Sequence, residues 1–386
     1  MSSSRSIALI LLAVLATLAA GCAGETIGAG PNGALAVQGA VAENSAADNE
    51  PLAFDDETTD QAATDQGTTE TSPAASGEVR MARANWSSGY MQAEIYAHLL
   101  TELGYTVDRG PELAPEDFFQ GLAEGEFDFW ANSWPISHQR FFDTAMADGT
   151  RAGDKMRFIG SEMLLGGLQG FVVDIATATS ANIVTLDDIA NNPELRSLFD
   201  TDGDGRAEIA GCDVGWGCEK VIDSLIVDNG WEDALVQVKG THGELFAEQV
   251  ARFEAGEPVL AFIWTPGPFI TQLQPGVDVI WLGVENPDPA QSIPARLPTD
   301  QCLLDPCTMG FSPSDILVAA NNDFLDAQPV AKRLFEQVKI SVLDVSFQNV
   351  KMLAGEDSPE DVARHAQEWI AANRSDVDRW LEIAAG

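Results

Sequence analysis

The sequence predicts an α/β protein with mainly parallel sheets flanked by helices, and three observations carry that expectation. Val79–Asn85 reads as a strand; Tyr96, Leu99, Leu100 and Leu103 then line one face of a helix closed by Gly104, and Tyr105–Val107 opens a second strand. Strand, helix and strand within about thirty residues make a βαβ unit, whose crossover joins parallel strands. The alternation continues through most of the chain, and several strands empty into Trp-, Gly- and Pro-rich turns, where open α/β sheets gather ligand-binding residues. At 386 residues the chain is long enough for two domains with extensions.

Taken in order, Phe118, Phe119 and Leu122 mark the next helix, and the strand Phe127–Ala131 runs into Asn132-Ser133-Trp134-Pro135-Ile136-Ser137-His138. Trp134 is there either a core aromatic or a ligand contact, and His138 either caps the turn or donates to an anion. Leu168–Asp174 reads as a strand, and Thr185-Leu186-Asp187-Asp188 as a capping-box variant opening a helix. The stretch Gly211-Cys212-Asp213-Val214-Gly215-Trp216-Gly217-Cys218-Glu219 precedes Val221, Ile222, Leu225 and Ile226 at helical spacing. The stretch is then either a stapled turn with a surface tryptophan or half of a ligand site, in which Trp216 at a helix N-terminus offers an aromatic face to a cation while the N–H groups of Gly217 and Cys218 face an anion. Phe246, Val250 and Phe253 mark a helix ended by Gly256, and Pro258–Trp264 is a buried strand emptying into Thr265-Pro266-Gly267-Pro268. Val277–Leu282 is a strand with Trp281 in its core. Asp315–Ala320 returns as a strand, helices follow over 327–339 and 344–353, and Ser358 caps a last helix with Pro359 at its first position.

The formal net charge of -39, from 60 acidic against 21 basic residues, argues against nucleic acid and anionic membrane surfaces as partners. Arg5, the apolar run Ile7–Ala20 and the small residues before Cys22 have the form of an export signal. Ending that signal at a cysteine resembles the bacterial lipobox, which implies a signal at 1–22, lipidation of Cys22 and an anchor in a bacterial membrane. Residues 23–77 carry no Lys or Arg, are rich in Ala, Thr, Ser, Gly and acidic residues, and read as a disordered acidic tether.

Lipidating Cys22 leaves four of the five cysteines, in two close pairs, Cys212/Cys218 and Cys302/Cys307. An exported protein keeps disulfides, and neither pair has the two-residue spacing or paired histidines of a zinc site. Asp200, Asp202 and Asp204 followed by Gly205 match the first half of an EF-hand loop, but Gly211 stands where the bidentate Glu belongs. A structural Ca2+ ion and a metal-free Asp/Gly turn both stay open; no other cofactor is expected.

Trp134-Pro135 with His138, the Asp200–Gly205 run leading to the Cys212–Cys218 segment, and Trp264-Thr265-Pro266 together resemble the glycine betaine-binding, ProX-like substrate-binding proteins of ABC importers. The resemblance implies a two-lobed type II periplasmic-binding-protein fold, with lobe I at 78–170 and 313–386, lobe II at 171–312 and the ligand between them. It implies a box of Trp134, Trp216 and Trp264 around a quaternary ammonium, with the carboxylate held by Gly217, Cys218 and His138. It further implies an extracytoplasmic lipoprotein that is not an enzyme and delivers its solute to an ABC permease for osmoprotection. Choline, carnitine or another quaternary amine as ligand, or a sensory role, are the alternatives. Trp86, within Asn85-Trp86-Ser87-Ser88, departs from the pattern and either adds a fourth wall or only packs. An exported hydrolase is disfavoured, because the chain has neither a Gly-x-Ser-x-Gly elbow nor a His-Glu-x-x-His zinc motif.

Overall fold

The computed structural model describes residues 77–287 and 292–386. The signal, Cys22 and the tether up to residue 76 lie outside the described residues. Four short strands open the fold, β1 (Glu78–Arg80), β2 (Arg83–Ala84), β3 (Thr106–Asp108) and β4 (Glu112–Leu113), and β1 pairs with β3 and β2 with β4, both in parallel. The helix Ser88–Glu102 makes the crossover, and Gly104, at φ 103°, turns the chain out of it as read from the sequence. The single first strand expected over Val79–Asn85 is instead split around Met81, which bridges Phe129 while its N–H still donates to Asp108 O at 2.9 Å.

The remaining strands are β5 (Phe129–Ser133), β6 (Met156–Gly167), β7 (Gln169–Asp174), β8 (Ala207–Ala210), β9 (Leu235–Val238), β10 (Leu260–Trp264), β11 (Val279–Trp281) and β12 (Ser314–Asn321). They form a three-stranded sheet in the order β5-β12-β6 and a five-stranded sheet in the order β11-β7-β10-β8-β9. Parallel pairing holds where helices connect the strands, at β8–β9 and β8–β10. β7 and β12 run antiparallel to both of their neighbours. The reason is topological. Only Leu168 separates β6 from β7, so the chain enters the five-stranded sheet at the end where β10 stops, with Gln169 opposite Trp264. β12 likewise starts where β6 and β5 finish, with Ser314 opposite Gly167 and Leu317 opposite Ser133. Five strand ends therefore converge on one region between the two sheets, the place where ligands bind in such folds.

Local chemistry sets the element ends. Thr185 and Asp188 make the expected reciprocal cap, with Asp188 N donating to Thr185 Oγ1 at 3.1 Å and Thr185 N to Asp188 Oδ2 at 2.9 Å. Ser358 Oγ accepts from Asp361 N at 3.1 Å, ahead of the helix Pro359–Ala372. β6 and the final helix Arg374–Ala385 were not expected from the sequence. Trp281 is buried core as expected, although it closes β11 rather than lying in mid-strand. Among the described residues no helix is long and apolar enough to cross a membrane.

Candidate functional site

Four tryptophans meet where the strand ends converge. Trp134 ends the run of β5 as the N-cap of the helix Pro135–Phe142, Trp216 is the N-cap of the helix Gly217–Asp228, and Trp264 is the last residue of β10. Trp86 lies just ahead of the helix Ser88–Glu102. All four are buried, and with Ser137, His138, Gln169, Gly217, Cys218, Pro115 and Phe262 they line a cavity of about 380 Å³, part of it open to solvent. The structure thus brings together every ligand-contact residue read from the sequence, and Trp86 stands in the wall with them.

Trp216 stands at a steep angle to two of its aromatic neighbours. Trp216 lies 5.6 Å from Trp86 at an interplanar angle of 67° and 5.7 Å from Trp264 at 83°. A point held equally above two near-perpendicular faces at that spacing is about 4 Å from each, inside the roughly 6 Å reach of cation–π attraction. The rings are fixed by groups behind them. Asn132 Oδ1 accepts from Trp86 Nε1 at 2.8 Å and from Trp134 Nε1 at 2.9 Å, while Asn132 Nδ2 donates to Gln92. Thr265 anchors the Trp264 turn to the crossover, donating from its hydroxyl to Gly166 O at 2.7 Å and accepting from Leu168 N at 3.1 Å. Gly167 clears the space that Trp134 fills, since a Cβ there would stand 2.6 Å from Trp134 Cζ3.

The remaining lining is uncharged, with polar groups from Ser137, His138, Gln169, Gly217 and Cys218 beside the apolar Pro115 and Phe262. Cys212 and Cys218 are disulfide-bonded, as are Cys302 and Cys307; the first bridge ties the loop carrying Trp216 to the first turn of the helix that follows. Gly217 and Cys218 are the first two residues of that helix, whose orphan N–H groups and dipole favour an anion. Glu219 accepts from Gly215 N at 3.2 Å, and Lys239 Nζ lies 2.7 Å from its carboxylate. His138 Nδ1 accepts from Trp134 N at 3.1 Å, which leaves the proton on Nε2 as a donor. Burial, with a smaller contribution from Arg140, pushes His138 down to about 3, so the ring is neutral. His242 lies outside the cavity lining, 4.5 Å from Trp264, with Nε2 on Phe262 O at 2.8 Å, and burial pushes it down to about 4.

The two helix N-termini face each other across the cleft. Gln169 Nε2 donates to Ser137 Oγ at 3.2 Å, and a Cβ on Gly217 would stand 3.1 Å from Ser137 Cβ. Gly217 is therefore needed for close approach rather than for its backbone angles. Gly217→Ala is expected to resist closure, weakening ligand binding about tenfold with an unchanged melting temperature, and Ser137→Gly in the same chain should recover most of the loss. Calorimetry on the single and double variants checks this; an undiminished affinity in Gly217→Ala refutes it.

Asp200, Asp202 and Asp204 offer carboxylate oxygens within 4.8 Å of one another. The loop itself engages them: Asp200 accepts from Gly203 N and Gly205 N, and Arg206 pairs with Asp204. The calcium expectation rests on that cluster alone. Asn85, Asn132, Ser137 and Gln169 are site residues whose parts the sequence did not disclose, although the first three sit within the very runs that carry the tryptophans.

A pair of lobes with its cleft at the meeting of strand ends is the architecture of a solute-binding protein. The family model for the substrate binding domain of the ABC-type glycine betaine transport system, OpuAC, matches residues 77–372. The glycine betaine-binding periplasmic protein OusX of Dickeya dadantii (strain 3937) is 33% identical over 307 residues, 79% of this chain and 89% of that protein. The glycine betaine/proline betaine-binding periplasmic protein of Escherichia coli (strain K12) is 30% identical over 293 residues, 76% of this chain and 86% of that protein. The solved ProX from Borrelia burgdorferi shares the fold, with a TM-score of 0.59 at 15% identity, covering 80% of this chain and 100% of its own. This chain belongs to the family of substrate-binding domains of ABC-type glycine betaine transport systems.

Proposed function

We propose that this protein captures glycine betaine or a closely related quaternary-ammonium solute and delivers it to an ABC permease, held at a bacterial membrane by lipid on Cys22. The observation that carries the reading is a cavity walled by four tryptophans and completed by neutral donors, with no charged side chain in its lining. A trimethylammonium has no N–H to donate, so hydrogen bonds cannot select it, whereas each desolvated aromatic face contributes roughly 0.5 to 2 kcal/mol. Several such faces, with charge-assisted bonds to a carboxylate, supply a net of about 8 kcal/mol, the scale of micromolar binding after ordering costs. The N–H groups of Gly217 and Cys218 and Nε2–H of His138 are the donors assigned to the carboxylate. The family and the curated relatives support the same class of ligand.

Titration calorimetry with glycine betaine, proline betaine, choline and carnitine tests the reading. Heat is expected with the betaines, and a weaker response to choline, which has no carboxylate for the donor set. Folded protein that gives no heat with any of the four sinks the proposal, and a preference for choline overturns the roles given to Gly217, Cys218 and His138.

A further inference from the structure

We propose that Asn85 and Trp86 form a clasp that positions Trp216 and sets how long the closed cleft persists. The part played in ligand release rests on the function proposed above; the clasp itself does not. Asn85-Trp86 follows β2, on the side of the cleft built from the β5-β12-β6 sheet, whereas Trp216 leads the helix that follows β8 in the five-stranded sheet. Across that divide Trp216 Nε1 donates to Asn85 Oδ1 at 3.1 Å, and the Trp216 ring meets Trp86 at 5.6 Å. Two successive residues of one side thus hold both the polar and the apolar part of one indole of the other.

Their surroundings divide the labour. Asn85 is exposed at the rim, so its bond breaks and reforms against water. Trp86 is buried, pinned through Nε1 to Asn132 and backed by Trp130 at 5.5 Å, so it meets Trp216 as a fixed surface. Separating the sides returns Trp216 Nε1 and both rings to solvent, which costs the open state and slows opening. A residue that only packed lobe I would leave the Trp216 indole and the release rate untouched.

The test uses the full chain with nitrogen-15-labelled indoles. In ligand-free protein, the Trp216 indole proton is expected to exchange with water about fivefold faster in Asn85→Leu than in wild type, and near the wild-type rate in Asn85→Asp, which keeps the acceptor. In stopped flow with glycine betaine, dissociation should be about fivefold faster in Asn85→Leu and about tenfold faster in Trp86→Leu, with association changed less than twofold. An unaltered Trp216 indole exchange in Asn85→Leu overturns the clasp without reference to any ligand. Altered exchange with unaltered dissociation in both variants overturns its role in release, and Asn85→Asp behaving like Asn85→Leu overturns the hydrogen bond as its basis.

Discussion

Trp216→Ala is expected to weaken glycine betaine binding by about two to three orders of magnitude while leaving the protein folded. The substitution removes one cation–π wall, worth about 2 kcal/mol when desolvated, and the aromatic contact across the cleft with Trp86, about 0.5 to 1.5 kcal/mol. It also removes the bond to Asn85 that joins the two sides of the cleft. Together these losses come to about 3 to 4 kcal/mol, or a hundred- to a thousandfold in affinity. The fold should survive because Trp216 packs at the cleft, against Trp86 on the far side and Trp264 on its own, and its loop stays tied by the Cys212–Cys218 bridge. Trp281→Ala is the contrasting control: it empties the interior of the five-stranded sheet and should lower the melting temperature first. Calorimetry beside thermal melts checks both, and an affinity loss below threefold in Trp216→Ala refutes the prediction.

Acid is expected to destabilise the protein through His138 far more than it changes the donor that His138 presents. The unfolded ring titrates near 6.5 and the folded one at about 3, so unfolding takes up a proton between those values. Stability is therefore full above pH 6.5 and falls as the pH drops toward 3, by about 2 kcal/mol between pH 7 and pH 5 from this ring alone. His242, folded value about 4, acts in the same direction over a slightly narrower window. Glu162 opposes them: burial holds its carboxyl well above the ordinary value, so it favours the folded state as the pH falls toward 4.5. Comparing wild type with His138→Gln isolates the first contribution. Urea melts at pH 7 and pH 5 should show the variant gaining about 2 kcal/mol relative to wild type, and an unchanged difference refutes the assignment. Ligand affinity should stay flat over the same range, because the ring remains neutral with its proton on Nε2.

The sequence disclosed the parts of the fold that local chemistry decides. The first βαβ unit, the Thr185 and Ser358 caps and the strands ending near Trp134 and Trp264 each carry their signal within a few residues. The antiparallel setting of β7 and β12 does not, because it follows from the chain crossing between sheets, which leaves no periodicity behind. β6 escaped because its run interrupts apolar residues with Gly160, Glu162 and Gly166, and Gly160 takes a left-handed turn, φ 77°, against Phe335 O. Within the site, Trp134 and Trp264 were legible as aromatics at strand ends and Trp216 as one at a helix N-terminus, whereas Trp86 showed only as a departure from the family pattern. The parts of Asn132 and Gln169 were not, since an amide shows nothing of its partner until tertiary structure brings Trp86, Trp134 or Ser137 to it.

The double acceptance at Asn132 Oδ1 decides how the ligand is met. Trp86 and Trp134 donate to one oxygen of an amide whose nitrogen is in turn held by Gln92, so both indoles are tethered to the same anchored group. A solute then does not have to order the side chains of this half one by one. Their rotational freedom was already surrendered when the chain folded, which lowers the entropy lost at the moment of capture.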